Sequence, residues 1–148
     1  MIEKTYDIPD FPRPALAFLA GHLRENSDLA EVRVLDCKFD RLDFDQCVKK
    51  IEEFEIEILA LTAMTNEIKP AAKVAKLIKG INPKTITIVG GIHFSALPEE
   101  TLREFPQFDY GTVGESETSF LEFVEAVATD DLNQLYNIKG LCFLKEGQ

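Results

Sequence analysis

The stretch TITIVGGIHFSALPEE, Thr85–Glu100, decides how this chain is read. It starts with a β-branched run, Ile86–Val89, that is apolar enough to be covered on both faces. It then meets two glycines, Gly90 and Gly91, followed by a loop with His93. The helix predicted over Pro98–Phe105 opens with proline at the first helical position. Glu99 and Glu100 sit beside the positive helix end. A strand that runs through a glycine-rich turn into a helix is one unit of a parallel α/β fold.

The same unit repeats on either side. Ile56–Ala63 is a second apolar run, and Val32–Leu35 a shorter one expected to be a strand. Between them Phe44, Cys47, Val48, Ile51 and Phe54 fall at helical spacing, with Asp43 as N-cap and Gln46 at the capping-box position. Val74, Leu77, Ile78 and Ile81 mark the next helix, which Gly80 and Pro83 close. Asp109–Val113 reads as a weaker strand, and Phe120, Phe123, Val124 and Val127 as another helix. Gly140–Leu144 reads as a last strand, one arm of a hairpin. A front helix starts near Pro14 and carries Leu16, Leu19, Ala20 and Leu23. The expected fold is α/β: a flavodoxin-like (Rossmann-like) parallel sheet with helices on both faces, in one domain over residues 1–148.

One element is missing from this pattern. Flavodoxin-like sheets place their first strand near the middle. The front helix has no such strand before it, because MIEKTYDIPD is too polar for a buried central strand. The expectation is that an apolar strand lies upstream, or that another chain fills the gap.

The 148 residues allow a real core, burying roughly 70% of the unfolded surface. Hydrophobic residues make up 45% and charged residues 28%, which is ordinary for a globular domain. No apolar run reaches the roughly 20 residues that span a bilayer. The net charge of −10 opposes phosphate backbones, so nucleic acid is not an expected partner. Lys69, Lys73, Lys76 and Lys79 are expected on the solvated face of their helix. Cys37, Cys47 and Cys142 are odd in number and widely spaced. That pattern fits reduced thiols in a cytoplasm, not a disulfide framework or a zinc site.

Ligands of open parallel sheets collect outside the carboxyl ends of the strands. The loops to inspect are therefore CKFDRLD after Asp36, TAMTNE after Leu61, GGIHFSAL after Val89 and GESETS after Val113. Gly90 and Gly91 either let a bulky ligand lie against bare main chain or simply make a tight strand exit. His93 is a hydrogen-bonding residue or, less simply, a metal ligand. Gly114 allows a sharp exit and Ser116 is placed to cap the next helix. Glu115 and Glu117 suit hydroxyl and amide donors better than a bare phosphate. Walker, dinucleotide and nucleophile-elbow motifs are absent, so the domain reads as a binder.

In order, RPALAFLAGHL, EVRVLD, ILALTAMT, IVGGIHFSALPEE and FDYGTVGESETSFLEFVEAV resemble the N-terminal cobalamin-binding domain of B12-dependent radical SAM enzymes. That family includes the anaerobic magnesium-protoporphyrin ester cyclase type and many methyltransferases. The resemblance covers roughly Pro12–Cys142. It implies a corrinoid-binding module that presents cobalamin to a separate catalytic domain for methyl transfer or ring-forming chemistry. By position it implies that Thr62, Ala63, Met64 and Thr65 flank the ring or tail. Gly90, Gly91 and His93 would line the tail channel, and Gly114 with Glu115 would close the other side. No catalytic or metal-ligating residue is implied on this chain.

The sequence departs from the pattern at several points. Ala15 and Ser116 stand where the family often has glycine. The D-x-H-x-x-G signature of other B12 proteins and the C-x-x-x-C-x-x-C cluster motif are absent. The resemblance therefore implies a fragment whose C-terminal radical SAM domain would hold S-adenosylmethionine and a 4Fe–4S cluster. A homodimer is left open. Two other readings remain: a family member that has lost its cofactor, and a receiver-like signalling or interaction domain. Against the receiver, Asp36 does not end the strand directly before ILALTA, and no lysine follows Val113.

Overall fold

The computed structural model describes residues 12–145. Four strands form one sheet in the order β1-β2-β3-β4: Ile58–Thr62, Ile86–Gly90, Tyr110–Thr112 and Leu141–Cys142. β1 pairs with β2 and β2 with β3 in parallel, with Thr62 opposite Gly90 and Val89 opposite Gly111. β4 is antiparallel to β3, so the last strand is a hairpin arm on an otherwise parallel sheet.

Six α-helices cover the sheet: α1 Pro14–Asn26, α2 Phe44–Glu52, α3 Ile68–Ile81, α4 Ile92–Ala96, α5 Pro98–Glu104 and α6 Glu117–Ala128. α1 packs on α6 on one face, where Leu23, Phe120, Phe123 and Val124 meet Ile58, Ile86, Ile88 and Tyr110. The other face carries α2 to α5. Cys47 and Ile51 pack there with Leu59, Val74 and Ile78, while Phe94 and Leu102 pack with Val89 and Phe108. The two faces follow from period-two alternation: Ile58, Ile86 and Ile88 point one way, Leu59 and Val89 the other.

Local signals account for several helix ends. The α2 capping box forms as expected: the Gln46 amide donates to Asp43 Oδ1 (2.9 Å), and the Asp43 amide donates to Gln46 Oε1 (3.0 Å). Pro98 opens α5 with Glu99 and Glu100 in its first turn.

Three expectations are corrected. Val32–Leu35 is extended but joins no ladder. A strand exists only with a partner beside it, and none among the described residues reaches this segment. GGIHFSAL is not a loop: its centre is the short helix α4, held by the fully buried Phe94. Lys79 is not free on the solvated face of α3; its ammonium pairs with Asp109 at 2.7 Å. Lys69, Lys73 and Lys76 are exposed as expected, and Lys73 lies over the Phe44 ring. The polar segment Met1–Asp10 lies outside the described residues.

Candidate functional site at the carboxyl rim

β1, β2 and β3 end side by side at Thr62, Gly90 and Thr112. The chain then does three things that shape this rim. After β1, Ala63 continues the ladder by donating to the Gly90 carbonyl (3.2 Å). After β2, Gly91 turns into α4 with φ +101° and ψ −179°, a conformation essentially reserved for glycine. After β3, Gly114 turns with φ +78° and its amide donates to Ser95 Oγ (3.0 Å).

α4 ties the loops together. His93 Nδ1 lies 3.3 Å from Thr65 Oγ1 on the β1 side, and Ser95 holds Gly114 on the β3 side. Thr62, Ala63, Thr65, Gly90, Gly91, His93 and Gly114 are thus brought to one rim. Met64 and Glu115 are on the same rim loops and exposed.

The two adjacent glycines differ. A Cβ on Gly91 would lie 2.7 Å from the Ala63 carbonyl oxygen and 2.9 Å from Thr62 Oγ1. This glycine is needed for close approach of the chain to itself. Gly90 faces the α1/α6 side, where a Cβ would come within 3.0 Å of Thr112 Oγ1 and 4.0 Å of Ser116 Oγ. Its missing side chain lets the Thr112 hydroxyl sit close against the end of β2. Around Gly114 nothing lies within 4 Å of where a Cβ would be.

On this face the side chains become small and hydroxylated towards the rim. Ile58 gives way to Ala60 and Thr62, and Ile88 to Gly90. Thr112 follows Tyr110, and Ser116 and Ser119 face them from the start of α6. Ala60 is exposed in mid-strand and Thr62 and Gly90 are half-buried, whereas Thr112 and Ser119 are buried. Ser116 holds the N-cap position of α6 without capping it. Its hydroxyl donates to Thr112 Oγ1 (2.8 Å), which corrects the expected cap. Sequence reasoning missed Ala60, Thr112 and Ser119. The period-two spacing from Gly90 and Thr62 was the signal that could have found them.

Charged side chains gather where the loop after β1 enters α3. Arg13 grips Glu67 with two bonds (3.0 and 3.1 Å) and Lys38 adds a third. The Met64 amide also donates to Glu67 Oε2 (3.0 Å). The Arg13 hydrogen bonds hold the Glu67 carboxyl down at about 2, against some burial. Burial and the Cys47 thiol push Cys37 up to about 12, and burial raises Cys142, so both thiols stay protonated at neutral pH. Among the described residues no cluster of three or more His, Cys, Asp or Glu side chains could hold a metal. A cavity of about 310 Å³ lies elsewhere, near Phe108, Asp109 and Phe143. It is remote from the rim and lacks the rim's hydroxyl set.

A family profile described as the B12 binding domain matches residues 9–124, most of the chain. This chain belongs to the B12-binding domain family. It is 35% identical over 137 residues to an uncharacterized methyltransferase of Pyrococcus horikoshii, covering 93% of the chain and 29% of that protein. It is 32% identical over 118 residues to an anaerobic magnesium-protoporphyrin IX monomethyl ester cyclase of Rubrivivax gelatinosus, covering 80% and 21%. A cyclase of the same name from Cereibacter sphaeroides is 27% identical over 135 residues, covering 90% and 22%. The chain therefore spans less than a third of each relative. The N-terminal domain of a hypothetical protein of Thermotoga maritima superposes with a TM-score of 0.53 at 22% identity, covering 84% of this chain and 91% of that one. That likeness is one of fold. Among the described residues no helix is long and apolar enough to cross a membrane.

The residues suit a B12 group by their own chemistry. The rim offers neutral hydroxyls at Thr62, Thr112 and Ser116 and backbone without side chains at Gly90 and Gly114. A corrinoid is rich in amides and needs such neutral partners over a broad apolar or backbone surface.

Proposed function

We propose that this B12-binding domain holds cobalamin over the carboxyl rim and presents it to a separate catalytic domain of the radical SAM kind. The observation that carries this reading is the glycine- and hydroxyl-lined carboxyl rim, with Thr62, Gly90, Thr112, Gly114 and Ser116 gathered there, in a chain of this family. Thr62, Gly90, Thr112 and Ser116 would line the tail channel. Ala63, Met64, Thr65, Gly91 and His93 would flank the ring side, and Gly114 with Glu115 would close the other. When bound, the cofactor would supply cobalt-carried methyl transfer or ring-forming chemistry. The domain's own residues orient it, keep its tail dry and leave one side accessible. S-adenosylmethionine and a 4Fe–4S cluster would belong to the catalytic domain. Three unpaired cysteines suit a reducing, cytoplasmic setting.

Equilibrium dialysis against hydroxocobalamin, followed by the visible spectrum, tests this. The expected result is retained corrin, weakened at least about tenfold by Gly90→Leu, whose side chain enters the channel. A folded Gly90→Leu protein with undiminished binding would place the cofactor elsewhere. No retained corrin at high micromolar ligand retires the reading. It then favours a relative that kept the fold alone. The self-packing of Gly91 on Ala63 supports that second reading, since it gives a glycine a reason to stay without any ligand.

A further inference from the structure

We infer that Ser95 is a positioning residue. From α4 it fixes the loop after β3 against the loop after β1, and so sets the opening that the rim offers its ligand. That the ligand is a corrinoid rests on the reading proposed above; the placement of the loop does not.

The geometry of α4 lets one short helix serve two loops. Successive residues of an α-helix are turned by about 100°. With Phe94 pointing inward, His93 and Ser95 project to opposite sides, and Ile92 and Ala96 project outward. The exposures follow that order. Phe94 is fully buried, His93 and Ser95 are half-buried, Ala96 is exposed and Ile92 is 71% exposed. The two side residues reach different neighbours. His93 Nδ1 lies 3.3 Å from Thr65 Oγ1 in the β1 loop. Ser95 Oγ accepts from the Gly114 amide in the β3 loop (3.0 Å).

α4 itself is held in place. Five residues have little helical stability of their own, so tertiary contacts must supply it. The Phe94 ring occupies the space that a side chain on β3 would need: a Cβ on Gly111 would fall 2.0 Å from its Cζ. The same ring belongs to the cluster of Ala63, Val89, Leu102 and Phe108. The Ser95 amide donates to the Gly91 carbonyl (3.0 Å), and the Leu97 amide to the His93 carbonyl (3.1 Å). Ser95 Oγ therefore starts from a backbone that is fixed relative to β2 and β3.

The loop that Ser95 holds depends on such bonds. Nothing lies within 4 Å of where a Gly114 Cβ would be, so hydrogen bonds, and not side-chain packing, position this glycine. Its carbonyl accepts from Ser116 Oγ (3.2 Å), and the preceding Val113 amide donates to the Gly140 carbonyl (2.9 Å). The Gly114 amide has no acceptor besides Ser95 among the described residues. Without that hydroxyl, the glycine is free to turn at little cost. A continuous line of contacts thus runs from Thr65 through His93, α4 and Ser95 to Gly114, across the ends of β1, β2 and β3. Loops fixed before binding lose less freedom when a ligand arrives, which strengthens binding.

The test compares Ser95→Ala and Ser95→Thr with the parent 148-residue protein. Exchange of the Gly114 amide is followed by NMR without ligand. It should be roughly three- to tenfold faster in Ser95→Ala and close to the parent's in Ser95→Thr, which keeps the hydroxyl. Equilibrium dialysis against hydroxocobalamin, far below the unfolding transition, should show retention weakened by a similar factor in Ser95→Ala and restored in Ser95→Thr. The urea midpoint of Ser95→Ala should fall by less than about 0.5 M. A residue that served folding alone would leave the retention of the folded variant unchanged. Equal Gly114 exchange in the parent and Ser95→Ala would overturn the inference. So would undiminished corrin retention by Ser95→Ala, or a Ser95→Thr protein no better than Ser95→Ala. If the parent itself retains no corrin, the cofactor reading fails and Gly114 exchange alone decides the role of Ser95. Should Ser95→Ala not fold, the parent and Ser95→Thr decide. A Gly114 amide protected in both supports the inference, and one unprotected in the parent overturns it.

Discussion

Gly91→Ala should damage folding far more than Gly114→Ala, although both glycines have positive φ. At Gly91 the φ of +101° with ψ of −179° is a region that costs a non-glycine residue about 1–3 kcal/mol. The new Cβ would also sit 2.7 Å from the Ala63 carbonyl and 3.0 Å from the Ala63 amide nitrogen. Those atoms are backbone and cannot rotate away. Moving them stretches the Ala63–Gly90 hydrogen bond, a further ~1 kcal/mol. The sum is about 3 kcal/mol. At Gly114 the φ of +78° is a left-handed conformation and nothing lies within 4 Å, so the backbone term stands alone at about 1 kcal/mol. Urea unfolding followed by circular dichroism measures the difference. With a slope of about 1–3 kcal/mol per molar, Gly91→Ala should lower the midpoint by roughly 1 M or more and Gly114→Ala by less than half of that. A Gly91→Ala protein within about 1 kcal/mol of the parent would refute the close approach of Gly91 and Ala63. So would a reversed order of the two variants.

Two more predictions concern groups off the channel. Glu67, held near 2 instead of its ordinary 4.5, contributes stability that is complete above about pH 4.5 and lost as pH falls towards 2. Glu67→Gln should cost about 1–2 kcal/mol at neutral pH, and its urea midpoint should converge on the parent's across that acid window. A gap that stays constant with pH would mean that the carboxylate charge is not what stabilises. Asp43→Ala removes one arm of the α2 capping box and should cost about 1 kcal/mol in the same assay, with Asp43→Asn recovering most of it.

Much of the fold is written in short-range pattern. The runs Ile58–Thr62 and Ile86–Gly90 are apolar because both of their faces are covered, and the α2 cap needs only Asp43 and Gln46 three residues apart. Pro98 opens α5 by its own fixed φ. These features depend on neighbours in the chain, so the sequence alone determined them. It also placed the rim loops, since a strand that ends in Gly90 or before Gly114 has to leave the sheet there.

Tertiary structure decided the rest. Val32–Leu35 has a strand's composition, but a strand is a property of two segments, and this one has no partner among the described residues. α4 is too short for a periodic signal. It exists because Phe94 fills the space left by Gly111, whose added Cβ would fall 2.0 Å from the ring. Ser116 has a cap's position, yet its hydroxyl turns to Thr112, a neighbour supplied by β3. The division of labour between Gly90 and Gly91, one set against the Thr112 hydroxyl and one packing on Ala63, was equally invisible in the letters. Identical residues acquire different roles when the strands beside them set what each missing side chain would touch.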